Sequence, residues 1–343
     1  MGERISGLVA PARLQLARLP TPLEPLDRLS QAIGGPRIWV KRDDLSECAA
    51  SGNKIRKLEF TMAQALAEGA DTLLTCGGLQ SNHCRATALL GARLGLGVEL
   101  VLRGESQGVP DGNLFLDRLA GAAVHTYPAQ RYQQELDALL ATHAARLRAE
   151  GRRPFLIPTG ASDAIGVWGY VAGAAELAAD CARVGIVPRQ VVCATGSGGT
   201  QAGLTAGLAL AGMRAEVWGI AVCDDAAWFR RKVRTDLAAW RQRYGVTLDV
   251  EALGVHVLDA YIGAGYARAD AAVFATIGEL ARVEGLVLDP VYTGKAFHGM
   301  LQEIRGGRFA GGGDVVFVHT GGLFGLFAQR AEAHAAGLLE HGS

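Results

Sequence analysis

Short apolar runs alternate with longer helical patterns along almost the whole chain. The apolar runs lie at residues 37–41, 71–76, 98–102, 123–127, 154–158, 190–195, 217–222 and 315–320. The segments between them are rich in Ala, Leu and Glu, residues that are common in helices. Strands that alternate with helices pair into parallel sheets covered by helices on both faces, and strands without polar alternation suit the sheet centre. The pattern therefore predicts an α/β protein with mostly parallel sheets.

The size and composition of the chain exclude several classes of protein. With 343 residues, 49% of them hydrophobic, the chain is expected to bury a sizeable core in two domains or in one with an insertion. The formal net charge of zero argues against nucleic acid as a partner. No apolar run approaches the roughly 18 residues of a membrane span, and residues 1–20 lack the apolar core of a signal peptide. The six cysteines form no C-x-x-C pair, so we expect reduced core thiols in a cytoplasmic protein, without a disulfide framework or a metal site.

Four segments with unusual chemistry follow predicted strands. They are residues 51–60 (SGNKIRKLEF), 76–85 (CGGLQSNHCR), 194–203 (ATGSGGTQAG) and 319–325 (HTGGLFG). In open parallel sheets, ligands bind outside the carboxyl ends of the strands. We therefore expect these four junctions to meet around one site.

The glycine-rich loop 195–200 precedes a helical pattern and predicts an anion site. Glycines let the backbone turn its N–H groups inward, and the start of the following helix adds a positive end. A dinucleotide fingerprint would need glycine at the position of Gln201. An ATP loop fails at 289–296, because Asp289 stands at its first glycine and Ala296 follows the lysine. A monophosphate is the remaining ligand, and a tight strand–helix turn is the structural alternative.

Lys54 lies in a basic segment that we expect to open a helix capped by Ser51. There it would stand near Arg56, Lys57 and the positive end of the helix. Such neighbours favour the neutral amine and lower the pKa of the lysine from its reference near about 10.4. A neutral amine is what a Schiff base requires. The alternative is a solvated basic helix start.

The turn 77–85 combines two glycines with polar side chains after a buried strand. Its backbone N–H groups would suit a substrate carboxylate, and the Ser81 hydroxyl could move a proton. Ser81 or Asn82 is expected to start the next helix, and Ser81 could be no more than a cap. For His83 and Cys84 we favour purely structural roles.

Taken together, these segments resemble the fold-type-II pyridoxal-phosphate enzymes, in particular the family of 1-aminocyclopropane-1-carboxylate deaminase and D-cysteine desulfhydrase. The shared motifs stand at residues 21–24 (TPLE), 40–44 (VKRDD), 52–60, 69–88, 195–204, 288–296 (LDPVYTGKA) and 319–322 (HTGG). The resemblance implies a fold like that of tryptophan synthase β, with two open, twisted, mostly parallel sheets and the cofactor between two domains. The larger, cofactor-binding domain would comprise residues 1–50 and 165–343, and the smaller domain residues 51–164. A homodimer acting on a small amino acid is also implied.

The resemblance also implies roles for individual residues. Catalytic roles fall to Lys54, which would bond covalently to pyridoxal 5'-phosphate, and to Ser81, Tyr266 and Tyr292. Cofactor contacts fall to Lys54, Asn82, Thr195, Gly196, Ser197, Gly198, Gly199, Thr200, Thr293 and Thr320. The substrate carboxylate would meet Gln80, Ser81 and Asn82. For Tyr266, whose surroundings match the family less well, simple packing at a helix start is the alternative.

Two positions separate the branches of this family. Deaminases that open the cyclopropane ring carry Glu and Leu where this chain has Thr293 and Thr320. A carboxylate beside the pyridine nitrogen keeps it protonated and makes a strong electron sink, whereas a hydroxyl makes a weaker one that suffices for β-elimination. Two further departures, Ser51 for the more common glycine and Asp163 for asparagine, affect the expected substrate preference.

The resulting hypothesis is an α,β-elimination that converts D-cysteine to pyruvate, hydrogen sulfide and ammonia. In it the substrate amine displaces Lys54, whose freed amine removes the Cα proton before sulfide leaves Cβ. Ring-opening deamination, or elimination from another Cβ-substituted amino acid such as cysteate, stays open. Two other classes are a nucleotide-dependent oxidoreductase, disfavoured by Gln201, and a catalytically silent regulatory protein, disfavoured by the intact set of Lys54, Ser81 and Tyr292.

Overall fold

A computed structural model describes residues 3–105, 108–309 and 312–338, and within these ranges it forms three sheets surrounded by helices. The strands are β1 (Arg4–Ile5), β2 (Leu8–Val9), β3 (Leu23–Pro25), β4 (Ile38–Lys41), β5 (Thr72–Gly78), β6 (Gly97–Arg103), β7 (Ala123–Tyr127), β8 (Pro154–Leu156), β9 (Pro188–Thr195), β10 (Glu216–Ala221), β11 (His256–Leu258) and β12 (Asp314–Val318). The helices are α1 (Asp27–Ile33), α2 (Asn53–Ala67), α3 (Asn82–Arg93), α4 (Gly112–Leu119), α5 (Ala129–Ala149), α6 (Val167–Val184), α7 (Gly199–Leu210), α8 (Ala226–Tyr244), α9 (Ala271–Glu284), α10 (Thr293–Arg305), α11 (Leu323–Phe327) and α12 (Arg330–Ala335).

The six-stranded sheet has the order β11-β10-β9-β12-β4-β3, and all neighbours in it are parallel except β3 and β4. Successive side chains of a strand point to opposite faces of the sheet, and in the central strands the side chains on both faces are apolar. Val191 of β9 packs with side chains of α6 and α7, whereas its neighbour Val192 packs with side chains of α9 and α10. The sheet is therefore covered by helices on both sides.

The four-stranded sheet has the order β7-β6-β5-β8 and is parallel throughout. Leu73 of β5 packs with α2 and α3 on one face, and Leu74 packs with α5 on the other. The short connection after β8, residues 157–166, leads into α6 and so passes from this sheet to the larger one.

The structure confirms the predicted α/β class, and each of the eight predicted runs contains a strand. The prediction missed β3, β11 and the β1–β2 hairpin. These strands are two or three residues long, and β3 ends in a proline, which weakens a strand signal. The six-stranded sheet lies within residues 23–318 and the four-stranded sheet within 72–156. The domain boundaries at 50/51 and 164/165 stay a prediction.

All six cysteines are free, in keeping with the expected reduced thiols. The expectation of core thiols is wrong for Cys48, which is exposed, because it lies in the irregular segment between β4 and α2. Across the described ranges, no helix combines the length and the apolar character that crossing a membrane would require.

Candidate active site

A cavity of about 380 Å³ lies where strand ends of both large sheets face each other. Predicted site residues in its wall are Lys54, Ser81, Asn82, Thr195, Gly196, Ser197, Gly198, Thr200, Tyr266, Tyr292 and Thr320. The four unusual junctions therefore meet around one space, as their sequence positions predict. Three predicted residues, Gln80, Gly199 and Thr293, do not line it.

Lys54 stands in the first turn of α2, with its amine at the cavity. Desolvation by burial lowers the pKa of this amine to about 8. The pKa of Lys54 is thus lowered, as predicted. The predicted cause, nearby positive charge, is wrong in part, because Arg56 is neutralised by Asp43 and Glu176. The predicted cap is also wrong: Gly52 occupies the N-cap position, and the Ser51 carbonyl instead accepts a hydrogen bond from Arg85.

Two side chains from outside the anion loop (residues 195–200), those of Ser162 and Asn53, hold it in place. Ser162 Oγ lies 2.8 Å from Ser197 Oγ and accepts a hydrogen bond of 3.2 Å from the backbone N–H of Gly199. The amine of Lys57 donates to the same oxygen over 3.1 Å. At the far end of the loop, Asn53 donates to Thr200 Oγ1 over 2.9 Å. The loop is therefore tied to α2 and to the connection after β8.

Two glycines shape this part of the cavity. Gly198 (φ 83°) and Gly160 (φ 68°) both adopt the left-handed backbone that other residues avoid. A Cβ at Gly160 would clash with Ser197 Oγ and lie 3.1 Å from the Lys54 amine, so the close packing of these groups requires glycine there. Gly198 makes the turn from β9 into α7.

The polar turn after β5 is organised by its own hydrogen bonds. Ser81 caps α3, as expected, by accepting from the N–H of Cys84 over 3.2 Å. Asn82 Oδ1 accepts from Arg85 (3.0 Å) and from Asn113 (3.1 Å). These donors fix the orientation of the Asn82 amide and leave its Nδ2 as the donor for a cavity ligand.

The Gln80 side chain points away from the cavity, because Asn113 N–H donates to Oε1 over 2.8 Å and Nε2 donates to the Asp111 carbonyl over 3.0 Å. Only its backbone can serve the predicted substrate contact. His83 lines the cavity and its Nε2 lies 2.8 Å from Thr75 Oγ1, while Cys84 is buried in an apolar cluster as expected.

Tyr266 and Tyr292 form a hydrogen-bonded pair, with their hydroxyl oxygens 2.6 Å apart. Burial raises the pKa of Tyr266 to about 12, and burial together with Tyr266 raises the pKa of Tyr292 well above its usual value. Arg103 lies over the Tyr266 ring at 4.8 Å from its centroid. The pair therefore keeps its protons at neutral pH.

Asp289 fixes the backbone that presents Tyr292. Its Oδ2 accepts the N–H groups of Val291 and Tyr292, both over 2.9 Å. Its Oδ1 accepts both the N–H and the hydroxyl of Thr293, over 2.8 and 2.7 Å. Thr293 is fully buried in this arrangement and does not line the cavity, whereas Thr320 does. The cofactor contact of Thr293 stays a prediction.

The donor set suits a phosphate-bearing aldehyde. Thr195 Oγ1 is buried and has no hydrogen-bond partner in the described part of the chain, as expected of a group that awaits a ligand oxygen. Beside it, the loop presents the positive start of α7. Across the cavity, Lys54 supplies an amine with a lowered pKa, the nucleophile that an aldehyde needs.

Several lining residues escaped the sequence interpretation. They include Asn53, Gly160, Ser162, Arg103, Cys223, Asp224 and Lys232. Asn53 and Ser162 stand close to predicted motifs, but their contacts with the loop join residues 147 and 35 positions apart in the chain. No local pattern signals such contacts.

The model of the family described as pyridoxal-phosphate dependent enzyme matches residues 14–321. A Salmonella choleraesuis protein named D-cysteine desulfhydrase is 41% identical over 321 residues, which cover 92% of this chain and 95% of that protein. A Thermotoga maritima protein, provisionally named 1-aminocyclopropane-1-carboxylate deaminase, is also 41% identical, over 92% of this chain and 98% of its own length.

A crystal structure described as an ACC deaminase homologue superimposes with a TM-score of 0.87 and 34% identity, over 95% of this chain and 96% of that one. The likeness covers nearly the whole of both chains and confirms the fold-type-II prediction. With a family match over most of its length, this chain belongs to the pyridoxal-phosphate-dependent enzymes.

Proposed function

We propose that the protein catalyses α,β-elimination of a small amino acid with a leaving group on Cβ, with D-cysteine as the best-supported substrate. One observation carries the proposal: an amine with a pKa of about 8 faces a cavity that is also lined by the anion loop and the polar turn. The relative named D-cysteine desulfhydrase, 41% identical over most of both chains, supports this choice.

Lys54 is proposed to hold the cofactor covalently and to remove the Cα proton. When bound, pyridoxal phosphate withdraws the electrons that this proton leaves behind. Because burial keeps the Lys54 amine partly neutral near pH 8, it can accept a proton without prior activation.

The polar turn is proposed to hold the substrate carboxylate. Ser81 faces the cavity at the start of α3, where the helix end and the backbone N–H groups attract negative charge. The Asn82 Nδ2 group, oriented by Arg85 and Asn113, would donate to the phenolic oxygen of the cofactor. The phosphate would lie against residues 195–200, where Ser162 positions the backbone at Gly199.

The tyrosine pair is proposed to protonate the departing sulfur. Both hydroxyls keep their protons at neutral pH, and each can pass one through the 2.6 Å hydrogen bond that joins them. Sulfide leaves more readily as the protonated HS⁻ or H₂S, so a donor at this position favours the cleavage. The product then hydrolyses to pyruvate and ammonia.

Ring-opening deamination is the second candidate, favoured by the name of the Thermotoga maritima relative. Of the two threonines, Thr320 disfavours ring opening more than Thr293 does, because only Thr320 reaches the cavity. A hydroxyl beside the pyridine nitrogen does not keep it protonated, and the cyclopropane substrate has no Cα proton to remove.

The deciding experiment is a product screen with D-cysteine, L-cysteine, cysteate and 1-aminocyclopropane-1-carboxylate. We expect pyruvate and sulfide from D-cysteine and little 2-oxobutanoate from the cyclopropane substrate. Thr320→Val should change the absorption of the bound cofactor and the elimination rate, whereas Thr293→Val should change neither beyond its effect on stability. Efficient 2-oxobutanoate production without turnover of D-cysteine would contradict the assignment to the desulfhydrase branch, although the assignment of the cofactor would stand.

We also infer a cytoplasmic homodimer. The six free cysteines suit a reducing compartment, and the dimer is implied by the resemblance. Sedimentation equilibrium of the purified protein tests this inference, and a dimer should have twice the 36.0 kDa mass of one chain.

A further inference from the structure

A second cluster of ligand atoms lies on the four-stranded sheet, outside the cavity wall. Glu99 belongs to β6, His125 to the edge strand β7, and His143 to α5. His143 Nδ1 lies 3.2 Å from Glu99 Oε2, and His125 Nε2 lies 3.4 Å from the same oxygen. One ligand atom from each residue falls within 4.8 Å of the other two.

The two separations from Glu99 match those of a tetrahedral zinc site. Zinc bonds to imidazole nitrogen and carboxylate oxygen are about 2.0 to 2.2 Å long, so neighbouring ligand atoms lie about 3.3 Å apart. Two imidazoles and one carboxylate are a ligand set that zinc uses, with a water molecule completing the four. The cluster thus offers three ligands at nearly the required spacing.

Neighbouring residues already orient the ligands. Tyr127 Oη lies 2.9 Å from His143 Nε2, so a neutral His143 can donate from Nε2 and keep Nδ1 free to bind. Arg146 bonds Glu99 Oε1, which leaves Oε2 to face the two histidines. Outer partners of this kind fix the ring tautomer and the carboxylate rotation in metal sites.

His125 provides an independent sign of a missing partner. Its Nε2 atom is buried and makes no hydrogen bond to any described residue, although 34% of the side chain is exposed. The two imidazole rings lie 4.2 Å apart between centroids. A ring nitrogen without a hydrogen bond is available to bind a cation, and the exposed part of the ring provides access.

We propose that Glu99, His125 and His143 form a site for a divalent transition-metal cation, with Zn²⁺ as the best fit. The site joins the edge strand β7 to α5, so the bound ion would clamp the outer side of the four-stranded sheet. None of its residues lines the catalytic cavity, which assigns the ion a stabilising role and not a step in the reaction.

The test adds Zn²⁺ to the purified holoenzyme, removes the excess by gel filtration, and measures metal by mass spectrometry beside the thermal unfolding midpoint. Wild type should retain one equivalent and unfold at a higher temperature. His125→Ala should lower the affinity at least about 100-fold, since loss of an outer partner alone costs about 10- to 100-fold. Tyr127→Phe should lower it about tenfold.

His298→Gln is the matched control, because His298 is a half-buried histidine bonded to Thr276 away from the cluster. This variant should keep the full equivalent, and elimination activity should not depend on zinc in any of the proteins. His143→Gln provides a second ligand variant if His125→Ala folds poorly. Wild type without retained zinc, a full equivalent in both ligand variants, or a sulfur ligand in the X-ray absorption spectrum would each overturn the proposal.

Discussion

The anion loop (residues 195–200) and the polar turn (residues 77–85) both line the cavity, and they are stabilised differently. The polar turn is stabilised by the Ser81 cap within it and by Asn113 of α4. The anion loop depends on residues from other parts of the chain, Asn53 and Ser162. It also keeps an unpaired buried hydroxyl at Thr195. The turn is thus held in part by its own cap, whereas these loop contacts come from other elements. Because different residues hold the two regions, cofactor binding and substrate binding should be separable.

The largest effect is expected at Lys54, which stands between the two regions. Lys54→Ala should reduce turnover at least about 1,000-fold, because a positioned base alone supplies about 100- to 10,000-fold. The anion loop should still hold the cofactor without a covalent bond. Borohydride reduction and mass spectrometry of the wild type locate the attachment, and an adduct on Lys41, Lys57 or Lys295 would show that the assignment is wrong.

The pH dependence of cofactor attachment should report the burial of the same amine. Because the pKa of Lys54 is lowered to about 8, the neutral fraction rises with pH and levels off above pH 8. The rate of covalent attachment to the apoprotein should therefore increase about fivefold from pH 7 to pH 8, less than about twofold over the next unit, and then plateau. Rates measured from about pH 7 upwards avoid the phosphate ionisation near about pH 6. A rise that continues towards pH 10 would mean that the amine is solvated.

A change in the loop should weaken cofactor binding without affecting the turn. Gly198→Ala places a Cβ on a backbone with φ 83°, at a cost of about 1 to 2 kcal/mol, so the cofactor dissociation constant should rise about tenfold. Gly212→Ala is the matched control, with φ 72° and open space around the new Cβ. Both variants should lose similar stability, and equal cofactor affinities in the two would show that the phosphate lies elsewhere.

The smallest effect is expected in the turn. Ser81→Ala removes a helix cap worth about 1 kcal/mol and a proposed carboxylate contact, so KM should rise severalfold while cofactor affinity stays the same. Asp270→Ala removes the cap of α9, which does not line the cavity, and should cost similar stability with an unchanged KM. A larger loss of cofactor affinity than of substrate affinity in Ser81→Ala would remove the distinction between loop and turn.

The sequence predicted the parts of the site that local chemistry determines. The loop 195–200 and the cap at Ser81 could be found because turns and caps depend on neighbouring residues. The capture of the Thr293 hydroxyl by Asp289 is also local, yet the resemblance pointed to the cofactor instead.

Other features arise only from the three-dimensional arrangement. The predicted effect of Arg56 on Lys54 fails because Asp43 and Glu176, distant in sequence, neutralise the guanidinium. The zinc ligands Glu99, His125 and His143 come from separate elements, and no motif with fixed spacing connects them.

The contacts of Ser162 affect how the enzyme can lose and regain its cofactor. The Ser162 hydroxyl oxygen accepts hydrogen bonds from the Gly199 N–H and from the Lys57 amine, as the oxygen of a bound anion would. These two donors therefore have a partner even when no ligand is bound. The apoprotein should therefore keep the loop in its binding shape. We expect a cofactor that can be lost and reloaded many times by a folded molecule, instead of one that must be installed while the chain folds.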